Sequence, residues 1–417
     1  MTWIIAVAVL AGVAAALFAR LSDDAMRIHG RLYGSWPWAT VALLPIGFAI
    51  GAWLTRRFAP ESAGSGIPQV IAAAEQRWTG RWGGQRVTLL TAVWKVVIAA
   101  GLLVCGASIG REGPTVQVTA GIMRSLTRGL KGGPGRRAMI IAGGAAGIAG
   151  AFNTPIAGVV FAVEELSKSF DRRTNTTIIL IVVVSGFAAY ALQGDYAYFG
   201  VLHGESDLRA AWLAAPAIGV VAGLLGGLFA RALIYLIGPD QNPLGRWRSR
   251  HPLMFAALCG SIAAAVAVAS GGLTFGAGYA EAKSLLIDHP GRGFSFAIWK
   301  FIATLAASAA GIPGGLFSPC LATGAGIGAA FARLGFSIAG RDAVVLGMTG
   351  YLSGVVQAPL TSAVILMEMT RDPGLVGPLM LSALLARWAS GLIQKEPLYH
   401  ALSSNWRLTP PARAAHP

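Results

Sequence analysis

Apolar runs near residues 3–19, 38–54, 89–109, 139–163, 177–193, 211–238, 253–270, 294–310, 343–367 and 374–390 follow one another, joined by short polar connectors. About 20 apolar residues are enough to cross a bilayer. Inside hydrocarbon a chain of such runs must satisfy its backbone hydrogen bonds internally, which helices do. Only 12% of the residues are charged and 55% are hydrophobic, whereas soluble proteins carry about 25% charged residues. The pattern predicts an all-α polytopic membrane protein, a single transmembrane domain over residues 1–417 with no soluble domain. Several runs are short or interrupted by Gly and Pro, so run length alone does not fix the number of crossings.

Polar residues narrow the function classes. The first run, Trp3 to Ala19, has no basic segment before it and no cleavage signal after it, so it is expected to stay as a helix. The net charge is +15, and Arg clusters at Arg56–Arg57, Arg136–Arg137, Arg172–Arg173 and Arg246–Arg248–Arg250. This is the bias of cytoplasmic connectors in membrane proteins. Without a basic soluble domain, nucleic acid is not expected as a partner. Cys105, Cys259 and Cys320 lie in or beside apolar runs without a CxxC spacing, and the 6 histidines form no HExxH. Neither a disulfide framework nor a metal site is expected. With only a short tail after Tyr399, no regulatory module is expected.

The chain is written twice. With Trp94 placed over Trp299, "WKVVIAAGLLVCGASIGREGPTVQVTAGI" lies on "WKFIATLAASAAGIPGGLFSPCLATGAGI" without a gap. Lys95 meets Lys300, Gly106 meets Gly311, Gly110 meets Gly315 and Pro114 meets Pro319. After a one-residue slip, Gly150 meets Gly354, Pro155 meets Pro359 and Glu164 meets Glu368. The halves are about 1–205 and 206–417. Membrane proteins built this way often set their halves in opposite orientation, with the substrate site between them near the bilayer midplane.

Three Gly/Pro motifs break otherwise apolar sequence: "GSGIPQ" at 64–69, "GREGPT" at 110–115 and "GIPGGLFSP" at 311–319. Irregular backbone at membrane depth survives only within protein or beside a water-filled cavity. Each motif is followed by helix-compatible sequence, at Val70 to Gln76, Val116 to Leu130 and Cys320 to Leu334. Pro is well tolerated in the first helical turn, so each motif is read as the N-terminus of a helix starting inside the membrane. Such an end presents free N–H groups and about half a positive charge, which makes it an anion site. Partial charges suit an ion that has to leave again. The plainer reading is close helix packing at the glycines. Intramembrane carboxylates are rare and default to function. Glu112 can occupy a site meant for an anion and vacate it on protonation; alternatively it is a static cap or the partner of Arg111.

With these motifs the sequence resembles the CLC family of chloride channels and chloride/proton antiporters. The forms GSGIP, GREGP and GIPGGxFxP stand here as Gly64–Pro68, Gly110–Pro114 and Gly311–Pro319, in the family's order, with "GGAAGIAGAFNTPIAGVVFAVEE" at 143–165 and "EPLYHAL" at 396–402 beside them. The resemblance implies two inverted repeats with broken, re-entrant helices and a homodimer with one pathway per subunit. It implies Ser65 and Tyr399 as hydroxyl donors to a central anion, the N–H groups of Leu316 and Phe317 as helix-end donors, Glu112 as the gating glutamate and Glu165 as the internal proton-transfer glutamate. Gly64, Gly66, Pro68, Gly110, Arg111, Gly113, Pro114, Gly314 and Gly315 form the helix-start motifs. Family members preferring nitrate or exporting fluoride depart at the Ser65 position, so Ser65 favours chloride. Glu164 and Glu368 are read as structural groups. Lys95 and Lys300, paired in the repeat, are structural or shape the field around the anion.

These expectations describe a chloride/proton antiporter of a cell membrane, of the prokaryotic type, that uses no cofactor. The rivals are a passive chloride channel and an exchanger for fluoride or nitrate. An intramembrane enzyme with Ser65 as nucleophile or Glu112 as acid lacks a histidine base at a recognisable spacing.

Overall fold

The fold comes from a computed structural model, which describes residues 2–75, 87–130, 135–167, 172–194, 198–200, 207–238, 242–287, 293–334 and 338–406. The boundary between the halves near 205, the end of the expected helix at Gln76 and most of the tail lie outside these residues.

The first half holds α1 (Thr2–Ser35), α2 (Pro37–Phe58), α3 (Ile67–Glu75), α4 (Leu89–Val104), α5 (Glu112–Leu126), α6 (Arg136–Phe152), α7 (Pro155–Phe161) and α8 (Arg172–Gln193). The second holds α9 (Leu208–Ile237), α10 (Pro243–Arg250), α11 (Pro252–Ala269), α12 (Tyr279–Ile287), α13 (Gly293–Ala309), α14 (Phe317–Arg333), α15 (Gly340–Val356), α16 (Pro359–Thr370), α17 (Val376–Ile393) and α18 (Leu398–Ser404). Among the described residues, 6 helices are long and apolar enough to cross a bilayer. The 16 residues of α4 reach only about 24 Å at 1.5 Å per residue, short of a hydrocarbon core about 30 Å thick.

Some apolar runs resolve differently from their sequence reading. The run at 139–163 is two helices: α6 stops at Asn153, which takes a left-handed conformation (φ 58°), and α7 restarts at Pro155. The run at 343–367 breaks the same way, at Gln357 (φ 58°) before Pro359. The run at 89–109 ends its helix at Val104 and continues as a loop. α1 extends well past Ala19, through Asp23, Asp24 and His29.

The helices pair off by the sequence repeat, α4 with α13, α5 with α14, α6 with α15 and α7 with α16. Their contacts carry the signature of a two-fold relation, in which residue i meets j′ and j meets i′. Glu164 in the first half accepts from the N–H groups of Leu360 and Thr361 at the start of α16, at 3.1 and 2.6 Å. Glu368 in the second accepts from Ile156 and Ala157 at the start of α7, at 3.2 and 2.6 Å. Each half thus caps a helix of the other with a charge-assisted bond, and both glutamates are structural, as expected. The repeat-equivalent Gly110 and Gly315 pair with each other: Gly110 N–H donates to the Gly315 carbonyl at 2.9 Å and Gly315 N–H to the Gly110 carbonyl at 2.8 Å, in antiparallel register.

The structure adds a repeat element that the sequence comparison missed. Lys95 Nζ donates to the carbonyls of Ser62 and Gly64, at 2.9 and 2.8 Å. Lys300 Nζ donates to those of Thr274 and Gly276, at 3.0 and 2.7 Å. Gly276 and Gly278, with φ of 56° and 77°, therefore stand where Gly64 and Gly66 (68° and 102°) stand in the first half. α12 is the counterpart of α3. Both lysines are fully buried and serve structure, each tying down the turn before a short helix.

Small residues set the close helix approaches expected where lipid supplies no hydrophobic drive. On α6, a Cβ at Gly143 or Gly147 would lie 2.7 Å from the Ala120 Cα and 2.6 Å from the Thr119 Oγ1 of α5. On α9, one at Gly223 would lie 2.4 Å from the Ala386 carbonyl of α17. This packing buries α6 from Ala138 to Phe152 and α15 from Asp342 to Val356 without interruption.

Candidate functional site

All three motifs start helices. α3 begins at Ile67, α5 at Glu112 and α14 at Phe317, so Pro68, Pro114 and Pro319 fall in first turns, where a missing N–H costs no hydrogen bond. The helices open slightly earlier than the sequence suggests, and Glu112 is itself the first residue of α5. Two short backbone pairings fasten the motifs together: the Gly110–Gly315 bridge, and Gly64, which donates to Ile312 and accepts from Gly314 at 3.0 and 3.1 Å. Close approach here excludes any side chain. A Cβ at Gly113 would lie 2.3 Å from Ser65 Oγ, one at Gly315 2.9 Å from the Gly110 carbonyl, and one at Gly314 2.4 Å from the Ile109 side chain. A Cβ at Gly66, already at positive φ, would lie 2.8 Å from the Gln117 side chain.

The predicted ligands converge on this junction. Leu316 and Phe317, whose N–H groups belong to the open end of α14, are 3% and 1% exposed. The Phe317 ring stacks on Tyr399 of α18 with centroids 6.1 Å apart and planes 9° from parallel. Phe152 and Phe161 hold the same ring at 6.2 and 6.1 Å. Ser65 and Tyr399 are neighbours, both buried, and among the described residues neither hydroxyl has a hydrogen-bond partner other than its neighbour's. Two adjacent buried O–H donors beside an open helix end form a neutral cradle for an anion.

Glu112 lies at the same helix end, fully buried. Ser318 Oγ donates to its Oε1 at 2.5 Å, and the Ser318 N–H lies 3.4 Å from its Oε2. The carboxylate of the first half therefore sits at the N-terminus of α14 in the second half. Arg111, the alternative partner, directs its guanidinium to the Ala19 carbonyl at 2.9 Å and to Asp23 at 2.7 Å, with Tyr198 beneath it at 5.8 Å. Glu112 and Arg111 line a cavity of about 640 Å³, whose walls include Asp23, His29, Tyr198 and Glu281. This vestibule leads to the carboxylate.

Glu165 sits on the turn that follows α7. The chain after α7 widens into a π-helical turn, Ala162–Ser167, so the consecutive glutamates diverge. Such turns are frequent at functional sites. Glu164 caps α16, while Glu165, 3% exposed, faces His400 of α18 with Oε1 3.8 Å from Nε2. Tyr399 is within electrostatic reach of both Glu112 and Glu165.

The sequence reading passed over Ser318, Asp23, Tyr198 and His400. Ser318 and His400 were visible inside quoted motifs, as the variable residue of "GGLFSP" and the residue after Tyr399. Asp23 and Tyr198 carried no local signal, because only the fold brings α1 and residue 198 to Arg111.

Solved structures share this architecture. A slow cyanobacterial Cl–/H+ antiporter is 25% identical, with a TM-score of 0.83 over 97% of each chain. A eukaryotic CLC transporter is 22% identical with a TM-score of 0.77, over 97% of this chain and 74% of its own. A CLC-type fluoride/proton antiporter is 21% identical with a TM-score of 0.78, over 96% of both. The sequence matches the voltage gated chloride channel family across residues 46–391. With its duplicated halves, three inward helix starts and buried glutamate, the chain is a multi-pass membrane protein belonging to the voltage gated chloride channel (CLC) family.

Proposed function

We propose that the protein exchanges chloride for protons, with no cofactor and no chemical reaction, as a homodimer in a prokaryotic inner membrane with one pathway in each subunit. One observation carries the reading: a buried carboxylate, Glu112, occupies an open helix end beside which two buried hydroxyls, Ser65 and Tyr399, have no polar partner among the described residues but each other. A halide entering the cradle and the Glu112 carboxylate compete for the same partial positive charge. Protonation removes the charge of Glu112 and its claim on the helix end. The side chain that yields to the anion is thus the one that takes up the proton. Glu165, buried and within electrostatic reach of Tyr399, supports exchange rather than passive flow by offering protons a second stop. Ser65 favours chloride over fluoride or nitrate. The test is purified protein in liposomes, with chloride and proton fluxes recorded together. Chloride flowing down its gradient should drive protons the other way. A reversal potential that follows chloride alone, whatever the pH gradient, would instead establish a passive channel.

A further inference from the structure

His400 stands between two carboxylates. Its Nδ1 is 3.7 Å from Glu75 Oε1, and its Nε2 is 3.8 Å from Glu165 Oε1. The acids come from different elements: Glu75 ends α3, and Glu165 sits on the π-helical turn. Exposure falls along the row. The Glu75 side chain is 35% exposed, that of His400 7% and that of Glu165 4%. The row therefore begins at the protein surface and ends inside the protein, beside the Tyr399 that closes the anion cradle.

We infer that His400 is a proton relay, carrying protons between the surface Glu75 and the buried Glu165. This rests on the antiport reading above and supplies its inner leg with a route. Imidazole is suited to the step because its two nitrogens face different partners and its ordinary titration range lies near neutrality. A proton from the Glu75 carboxylic acid passes to Nδ1, leaving a carboxylate and an imidazolium. The imidazolium releases its Nε2 proton to the Glu165 carboxylate, leaving neutral imidazole with its proton on Nδ1. A turn of the ring that brings its protonated nitrogen to the Glu165 side resets the relay. No proton is made or lost, and no co-reactant is needed. Both gaps exceed hydrogen-bond length by under about 1 Å, and proton-transfer contacts often tighten only in the working complex. A buried neutral residue such as Gln at 400 would keep the packing and end the transfer.

The experiment measures proton uptake driven by a chloride gradient in liposomes, for the unaltered protein, His400→Gln, His400→Ala and Glu75→Gln. The relay predicts that His400→Gln slows coupled proton transport by about tenfold or more and lowers the ratio of protons to chloride. Imidazole added to the solution should restore transport in His400→Ala, which a packing role does not allow. Glu75→Gln, at the exposed end, should slow proton transport even if substitutions at 400 disturb folding. His400→Gln and Glu75→Gln variants that couple as well as the unaltered protein would overturn the relay and leave antiport standing. An unaltered protein that carries chloride and no protons would overturn both.

Discussion

Ser318 holds Glu112 from two sides of one residue, its hydroxyl 2.5 Å from Oε1 and its N–H 3.4 Å from Oε2. The N–H belongs to any residue opening α14 there; the hydroxyl is the serine side chain's own contribution. A hydrogen bond to a charged group contributes about 1.5–3 kcal/mol, so this side chain biases the contest between carboxylate and halide toward the carboxylate.

Replacing Ser318 by Ala should therefore let halide compete better. Chloride binding measured calorimetrically is expected to tighten about tenfold, the equivalent of about 1.4 kcal/mol. In a Glu112→Gln background the same substitution should produce no such gain, since the carboxylate competitor is gone. Equal effects in both backgrounds would show that Ser318 acts on the anion directly.

Glu112→Ala removes both the competitor and the proton carrier. Vesicles containing it should pass chloride while failing to build a proton gradient. Proton pumping retained by this variant would remove Glu112 from the mechanism.

Neighbouring glutamates are expected to fail differently. Glu165→Gln should stop proton movement with little loss of thermal stability. Glu164→Gln breaks a cap on α16 made by bonds of 3.1 and 2.6 Å to backbone, and should cost about 1–3 kcal/mol, read as a lower unfolding temperature in detergent, with coupling retained. The repeat-related Glu368→Gln should behave like Glu164→Gln, because it breaks the reciprocal cap on α7.

Gly113 is a geometric test of the junction. Its Ala variant places a methyl 2.3 Å from Ser65 Oγ and must displace that hydroxyl, so chloride flux should fall by about tenfold or more, the scale of one lost hydrogen bond to a charged group. Gly101→Ala, with nothing within 4 Å of the added carbon, should leave flux unchanged. A Gly113→Ala protein that transports normally would mean that Ser65 is not at the anion site.

Local chemistry wrote a good part of this protein into its sequence. Gly and Pro act on their own turn, so "GSGIPQ", "GREGPT" and "GIPGGLFSP" announced helix starts, and all three motifs do begin helices. The Trp94–Lys95 and Trp299–Lys300 pairs announced the duplication, and the two-fold contacts carry it out. The sequence comparison lost the third repeat element because spacing drifted between Gly64 and Gly276; only the equivalent grips of Lys95 and Lys300 on backbone carbonyls reveal it. Which carboxylate meets which helix end was likewise decided in space. Glu112 reaches Ser318, 206 positions away, because glycine-lined faces let α5, α6, α14 and α15 close on one centre. Glu164 and Glu165 are adjacent in sequence and chemically identical, yet one π-helical turn directs them to a helix cap and to His400. Direction of that kind depends on packing between distant segments, for which a local sequence pattern holds no record.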